Sequence, residues 1–548
     1  MKLINNLSLI ALSGVLVFCS CDKTRLDTKN LNQPSYGVLD NESGVYAYAK
    51  GFYKIGFGDQ GVGSLDDGLG YGMLLIVQGF HEGMGDNLFV PWGNNNFKFA
   101  DNPLWVKLDN GTKVPNPIGQ GQIYEMKLRN ARAYGATNGF LPEWTYMYFL
   151  NNSSNLLLSK VATVSFSGDA ASKKKVLEAW AYWWKGYAYS RIGSMYVGGV
   201  IAETPNTTNG NFVTHDLMIA EATKNFDKAI AALTGISAAT YDEVMKQVIP
   251  GYMQPVAYGG VPSPAGWIKN INTMKARNLL VNKRDNLMTA ADWNQILSLT
   301  NTGLTGAVDY PFLVKTYTDN SKSIFDKDYG SAGSYAATND PTYYVSERLV
   351  QDYKPGDKRF TNNFDLFGSA IVNRRGRGIT FGTRYYLVDG GNGNGAYTYF
   401  DFGIGKTDYF IAGSYEENML MKAEALINTS QIDAGVAIID AIRAYQGAGI
   451  SSGAGLTLAQ AKEELRKERR CALFLRGLAW YDLRRLGMNI SVDAGGTGRS
   501  GCVVLDASGT LNTNCQINYA YLSYWDVPQN ELDFNAPASG SAPTKSPQ

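Results

Sequence analysis

Hydrophobic and polar positions follow the period of an α-helix over long parts of the chain. In residues 173–192 (KKKVLEAWAYWWKGYAYSRI), apolar side chains recur at steps of three and four and form one wide face. This spacing is typical of an amphipathic helix that packs against a core. Residues 144–160 and 217–233 show a similar pattern, and a further helical group follows Arg277.

The clearest helical signal is a pair of segments, 415–427 (YEENMLMKAEALI) and 432–444 (IDAGVAIIDAIRA), joined by a short polar turn. Each has the apolar spacing of a helix, with alanine at positions suited to close packing. Paired helices of this kind form tetratricopeptide-like repeats. We therefore predict a mostly α fold on a tetratricopeptide-like helical-repeat scaffold. Its helical blocks are expected at about 140–235, 277–305 and 408–490.

Three segments between the helical blocks are rich in turn-forming residues and lack helical periodicity. Loops held by a rigid scaffold often carry binding residues, so we expect ligand contacts there. These loop-rich insertions are predicted at about 56–136, 236–275 and 306–407, and a C-terminal segment covers 491–548.

The start of the chain has the pattern of an export signal. Lys2 precedes an apolar run that is too short to cross a bilayer and closes on small residues. Its end, Phe18-Cys19-Ser20-Cys21, resembles the lipobox of bacterial lipoproteins. We expect residues 1–20 to be a signal peptide, Cys21 to carry the lipid anchor and residues 21–548 to form one domain. A cleaved signal on a soluble secreted protein is the alternative.

Composition narrows the range of functions. The formal charge of +1 gives no basic surface for nucleic acid. Two histidines in the whole chain exclude a His-rich zinc site, and we expect neither a metal nor a cofactor. The 34 tyrosines and 10 tryptophans, set among 60 glycines, suit a surface that stacks on flat ligand faces. The alternative is that most of these aromatic side chains form the core.

Three cysteines lie beyond the N-terminal segment. Cys471 falls in a strongly helical pattern and is expected to be a small buried apolar residue. Cys502 and Cys515 are close enough in sequence to close a short loop, and an exported chain permits disulfides. We treat them as a candidate disulfide.

No motif in the chain predicts catalysis. Residues 496–501 spell G-x-G-x-x-G, but the strand-like run 502–505 follows where a dinucleotide site needs a helix. His81-Glu82 lacks the second histidine of a zinc protease motif. A glycosidase with two carboxylates stays open at this point, because its acids need not be close in sequence.

The segment 461–487 (AKEELRKERRCALFLRGLAWYDLRRLG) carries the most specific signal. Its Glu468-Arg469-Arg470, its Gly477 and its run from Trp480 to Gly487 resemble the C-terminal signature of the SusD/RagB family of outer-membrane nutrient-binding lipoproteins. Three further stretches resemble family motifs in the same order: 178–205, 415–426 and 525–535. The sequence departs from the usual pattern at Ala472, Arg476 and Ala479, and its last motif ends Asn535-Ala536-Pro537.

The resemblance implies a SusD-like single domain with an irregular, loop-rich lobe packed on the helical scaffold. It implies binding without chemistry, so no catalytic residue is expected, and the Arg and Asp residues of the signature are interpreted as a charged lattice between helices. It also implies a lipid-anchored protein at the outer membrane that faces outwards. There it would capture an oligosaccharide or peptide and deliver it to a SusC-like TonB-dependent β-barrel transporter.

Candidate ligand-binding residues come from two regions. The window 81–105 combines aromatic and amide side chains suited to sugars, and we single out Trp92, Asn94 and Asp86. In resembling proteins the ligand site also draws on the later insertion, which here offers Tyr317, Tyr329 and Tyr335.

Two other functional classes remain as alternatives. One is an exported glycan-active hydrolase. The other is a structural assembly protein of the outer membrane, because tetratricopeptide-like surfaces often bind polypeptides.

Overall fold

The computed structural model describes residues 36–52, 72–91, 96–249, 261–306, 309, 312–315, 331–338 and 341–548. Among these residues, no helix combines the length and the apolar character that crossing a membrane requires.

Long paired helices form the scaffold, as the sequence predicted. Leu141–Thr163 (α5) and Ala170–Met195 (α6) pack against each other, His215–Ala232 (α7) packs on α6, and Tyr415–Asn428 (α14) packs on Ile432–Tyr445 (α15). The helices are α1 Glu42–Lys50, α2 Gln78–Met84, α3 Phe97–Ala100, α4 Gln122–Arg129, α5 Leu141–Thr163, α6 Ala170–Met195, α7 His215–Ala232, α8 Ala238–Val248, α9 Pro264–Val281, α10 Ala290–Asn301, α11 Ala332–Ala336, α12 Glu347–Val350, α13 Lys358–Asn363, α14 Tyr415–Asn428, α15 Ile432–Tyr445, α16 Leu458–Ala472, α17 Ala479–Arg485 and α18 Gln529–Leu532.

Short 3-10 segments and one π-helical turn complete the helical structure of the described residues. The π-helix Gly72–Val77 runs directly into α2. The 3-10 helices are Tyr36–Leu39, Arg132–Thr137, Asp285–Leu287, Arg374–Gly376 and Val492–Ala494.

The strands are short and form small antiparallel sheets. The strands are β1 Leu88–Phe89, β2 Trp105–Lys107, β3 Lys113–Pro115, β4 Gly198–Val200, β5 Phe212–Thr214, β6 Phe312–Lys315, β7 Tyr344–Val345, β8 Phe364–Ile371, β9 Thr383–Leu387, β10 Asp408–Ala412, β11 Arg499–Leu505 and β12 Leu511–Asn518. β11, β12, β2 and β3 form a sheet of four strands in that order, while β1 pairs with β7, β4 with β5, β6 with β10 and β8 with β9.

Local capping explains where several scaffold helices begin. Ser414 accepts a hydrogen bond from the backbone N–H of Glu417 at 3.2 Å and so caps α14. α10 and α16 each begin with a reciprocal capping box, formed by Thr289 with Asp292 and by Thr457 with Gln460. These caps satisfy backbone N–H groups that have no partner within the helix.

The centre of the scaffold is aromatic. Trp183 stacks on Phe312 with ring centroids 3.9 Å apart, and Trp180 and Trp267 pack around the same phenylalanine. All four side chains are fully buried. For these residues, the aromatic content of the chain therefore serves the core rather than a binding surface.

Two predicted insertions contain more helix than the sequence suggested. The first, 56–136, holds α2, whose seven residues are all buried. The second, 236–275, holds α8 and the start of α9 at Pro264, so α9 begins well before Arg277. α2 has only seven residues, too few for a clear helical period, and its polar side chains Gln78, His81 and Glu82 are buried with the apolar ones.

The interpretation of residues 496–501 is confirmed. β11 begins at Arg499 and continues to Leu505, so a strand occupies the position where a dinucleotide site needs a helix N-terminus.

Candidate ligand-binding site

The two regions expected to bind ligand meet at a short pair of strands. β1 pairs with β7 in antiparallel register, with Leu88 opposite Val345 and Phe89 opposite Tyr344. β1 leads into the segment that carries Trp92, and β7 lies within the later insertion. This pairing joins regions about 250 residues apart in sequence.

Aromatic side chains surround this pair of strands. The ring of Phe97 lies 5.4 Å from that of Tyr343, and the ring of Tyr335 lies 6.4 Å from that of Tyr343. The Tyr343 hydroxyl donates a hydrogen bond to the backbone carbonyl of Leu75 at 2.9 Å. We call β1, Phe97, Tyr335 and the segment Tyr343–Val345 the insertion junction.

Tyr335 is the predicted ligand residue that the structure places at the insertion junction with part of its surface exposed. It lies on α11, which begins with a capping box between Ser331 and Ser334. A half-buried tyrosine beside an aromatic cluster can present a ring face and a hydroxyl to a ligand. Trp92, Asn94, Tyr317, Tyr329 and the lipidation residue Cys21 lie outside the described residues.

Asp86 is not a ligand residue in the structure. It is only 3% exposed, and its carboxylate accepts hydrogen bonds from Arg348, from the Ser346 hydroxyl at 3.0 Å and from the Tyr519 hydroxyl at 2.6 Å. A carboxylate with its oxygens occupied in this way cannot reach a surface ligand. We therefore remove Asp86 from the candidate contacts.

The arginines of the C-terminal signature form the charged lattice that the sequence indicated. Arg485 contacts Asp482 at 2.7 Å and Glu424 of α14 at 2.9 Å. Arg469 of α16 reaches the other oxygen of Asp482 at 2.9 Å. These ion pairs join three helices and leave no acid in the group free for general acid-base chemistry.

A second part of the lattice converges on Asp352. This buried carboxylate receives Arg466 at 2.8 Å, Arg470 at 3.3 Å and Arg499 at 2.9 Å. Burial alone would raise the pKa of Asp352, but the three guanidinium groups outweigh burial and hold its pKa well below the usual range. The same balance, with Arg348 as the main cation, lowers the pKa of Asp86.

A buried histidine forms an ion-paired cluster with Glu143 and Arg191. His81 is fully buried, and its Nε2 lies 3.2 Å from Glu143. Arg191 contacts the same carboxylate at 2.5 Å. Burial lowers the pKa of His81, and the pairing with Glu143 only partly opposes that shift. The arrangement holds α2 against α5 and α6.

Glu82, beside His81, differs from the lattice carboxylates. It accepts hydrogen bonds from the side chain of Asn87 and the backbone N–H of Gly477, both at 2.8 Å. It has no direct cation partner among the described residues, and burial raises its pKa to about 7.

Cys502 and Cys515 lie opposite each other on β11 and β12. Both are buried, and the structure holds them as free thiols, so their oxidation stays a prediction. Cys471 is buried within α16 as expected.

Sequence reasoning missed Arg348, Asp352 and Tyr519. Each is a long-range partner in the lattice, and none lies in a motif or a periodic segment that could have singled it out. Among the described residues, no group of three or more His, Cys, Asp and Glu side chains is placed to hold a metal ion.

Comparison with solved structures identifies the fold. The chain is similar to a SusD-like protein from Bacteroides fragilis at 14% identity, covering 92% of this chain and 97% of that one with a TM-score of 0.54. It is also similar to a SusD-like carbohydrate binding protein from the same species at 15% identity, with 91% and 99% coverage and a TM-score of 0.56. A SusD homolog from Bacteroides thetaiotaomicron gives 13% identity, 91% and 97% coverage and a TM-score of 0.54.

No family model and no curated protein sequence matches the chain. The structural likeness extends over nearly the whole length of both partners in each comparison. The chain therefore has the SusD-like fold, which confirms the fold predicted from the motifs in residues 178–205, 415–426, 461–487 and 525–535.

Proposed function

We propose that this protein is a cell-surface binding lipoprotein that captures an oligosaccharide and delivers it to a TonB-dependent β-barrel transporter. The observation that carries the proposal is the pairing of β1 with β7, which brings the two predicted ligand-binding regions together on a SusD-like fold. A solved protein of this fold is described as carbohydrate binding, which supports the choice of ligand class.

The chemistry at the insertion junction suits a sugar. Pyranose rings present C–H faces that pack on aromatic rings, while their hydroxyl groups need hydrogen-bond partners nearby. Tyr335 offers a ring and a hydroxyl at a partly exposed position. The predicted contacts Trp92 and Asn94 would supply a ring and an amide. The acids of the charged lattice are engaged in ion pairs that stabilise the fold, so they are not available for general acid-base chemistry. This favours a binding function over hydrolysis.

Membrane anchoring and delivery complete the proposed function. Cys21 would hold the protein at the outer membrane through acyl chains, and the tether would keep a bound ligand at high local concentration beside the transporter. The energy for import would come from the transporter, because the proposed role for this chain is binding alone.

The ligand proposal is tested on a glycan and peptide array, followed by calorimetry and product analysis with each hit. We expect 1:1 binding of an oligosaccharide without turnover. Cleavage of the bound glycan would favour the hydrolase instead, and binding to polypeptides alone would favour a peptide carrier or an assembly protein.

The anchor and partner are tested in cells. Cys21→Ala should release the mature protein from the outer-membrane fraction or leave an unprocessed precursor. Mild detergent extraction of the unaltered protein should co-purify a large β-barrel. If the protein is extracted as a free monomer under conditions that preserve other outer-membrane complexes, the proposal of a transporter partner is refuted.

A further inference from the structure

A small cavity lies between α16 and α17. Leu465 and Arg469 of α16 and Leu483 of α17 contribute to its wall, and Arg499 of β11 lines it as well. Its volume is about 50 Å³. A cavity needs roughly 10–15 Å³ for each water molecule, so this one has room for a few waters or one small polyatomic ion.

The charged residues that line the cavity are mostly cationic, although much of its wall is apolar. Among the residues that line it, six are cationic and three are acidic. The acids are already engaged, because Asp482 pairs with Arg469 and Arg485, Glu424 pairs with Arg485, and Asp285 pairs with Lys462. The remaining cations, Arg466, Arg470 and Arg499, share Asp352, and Arg466 also pairs with Glu463. Burial together with the neighbouring Arg499 lowers the pKa of Arg470.

Two of these arginines have a hydrogen-bond donor that is not engaged within the described residues. The Nη1 atoms of Arg469 and Arg499 are buried and have no hydrogen-bond partner among the described residues. Both side chains are more than nine-tenths buried. The nearest carboxylate oxygen of Asp86 lies 3.7 Å from Arg499 Nη1, which is an ion-pair contact beyond hydrogen-bond distance. A buried charged donor without a partner is costly, which points to a missing acceptor.

We propose that this cavity binds a small oxyanion, held by Arg469 and Arg499. The ligand class is a phosphate, sulfate or carboxylate group, because planar guanidinium groups donate paired hydrogen bonds to such oxygens. A bound oxyanion would satisfy both donors. This site is separate from the proposed sugar site and does not depend on it.

The test is calorimetric titration of the intact protein with sodium phosphate, sulfate and acetate, each at constant ionic strength maintained with sodium chloride. We expect at least one oxyanion to bind with 1:1 stoichiometry, and the anion that binds identifies the source of the group. No binding by any of the three, or equal displacement by chloride, would overturn the proposal.

Matched variants assign the binding to the cavity. Arg469→Lys keeps a cation near Asp482 but removes the Nη1 donor, so affinity should fall about tenfold or more. Arg443→Lys is the control, because Arg443 is equally buried but has its donors engaged by Glu468, Glu464 and Ser452. The oxyanion affinity of Arg443→Lys should equal that of the unaltered protein.

Arg499→Lys provides a second test if Arg469→Lys fails to fold, and it should weaken oxyanion binding in the same way. Unaltered oxyanion affinity in a folded Arg469→Lys or Arg499→Lys protein would refute the proposed site. An equal loss of oxyanion affinity in Arg443→Lys would refute it as well.

Discussion

Arg348 and Asp86 form a two-pronged ion pair across 262 positions of sequence. The guanidinium Nε lies 3.0 Å from Oδ2 of Asp86, and Nη2 lies 2.8 Å from Oδ1. Both side chains are buried, and Arg348 also packs over the ring of Phe381 at 3.8 Å. The pair connects the segment that follows α2 to α12, and so holds the base of the insertion junction.

Asp86→Asn should therefore damage the fold and leave recognition intact. Removing one partner of a buried ion pair leaves an unpaired charge and costs roughly 3–5 kcal/mol of unfolding free energy. Urea denaturation measures this loss, and Asp216→Asn, whose side chain is 78% exposed, is the control with a change under about 0.5 kcal/mol. Reduced ligand affinity at full stability would return Asp86 to the binding site.

The contrast between α14 and α2 shows what could be predicted from sequence. α14 and α15 were predicted within one residue at their ends, because each has one apolar face and the polar turn between them is local. α2 is too short, at seven residues, to show a helical period, and its polar residues are buried together with the apolar ones.

For the binding region too, some features could be predicted from the sequence and others could not. The sequence indicated which segments carry aromatic and amide side chains, but it could not show that Leu88 lies opposite Val345. It also could not separate Asp86 from a surface acid. Both outcomes depend on long-range contacts, which leave no periodic signal in the chain.

Glu82 should make stability depend on pH in the neutral range. Its pKa is about 7 in the folded protein, against about 4.5 when unfolded, so the folded state holds more protons between these values. The free energy of unfolding should therefore fall as pH rises from about 4.5 to 7, by up to about 3 kcal/mol from this group.

Glu82→Gln cannot ionise, so it should gain stability relative to the unaltered protein between pH 5 and pH 8. Urea denaturation at both pH values gives the comparison, with the exposed Asp242→Asn as a variant whose difference stays flat. A difference for Glu82→Gln that is equal at both pH values would contradict the shifted pKa.

Cys502 and Cys515 should form a disulfide in the exported protein, because the two residues lie opposite each other on paired strands. Closing a loop of about 14 residues would add on the order of 3 kcal/mol of stability. Non-reducing peptide mapping should find the two cysteines joined, while buried Cys471 stays reduced. Alkylation of both thiols in the native protein would refute the disulfide.

Trp92→Ala should weaken ligand binding with little effect on folding. Loss of an aromatic stacking surface costs roughly 1–3 kcal/mol of binding, or about a five- to hundredfold lower affinity. Calorimetry and thermal unfolding on the same variant separate the two effects. A stability loss of about 3–5 kcal/mol with unaltered affinity in the folded fraction would make Trp92 a buried packing residue instead.

Tyr335→Ala tests the described part of the insertion junction. Tyr335 is partly exposed and contacts Tyr343 edge to face, so its removal should lower ligand affinity by about five- to fiftyfold through lost stacking. A smaller stability loss, about 1–2 kcal/mol, should accompany it, because part of the ring packs against the protein.

Tyr524→Ala is the matched control for Tyr335→Ala. Tyr524 is also partly exposed, but its ring stacks on His215 at 4.1 Å and on Arg484 at 4.3 Å, next to the scaffold. It should lose similar stability and keep its affinity for the ligand. If both tyrosine variants lost affinity in proportion to stability, the effect would be a general weakening of the fold. A loss of affinity in Tyr335→Ala alone is expected only if the ligand contacts the Tyr335 ring. The two residues are both partly exposed tyrosines and differ only in their location.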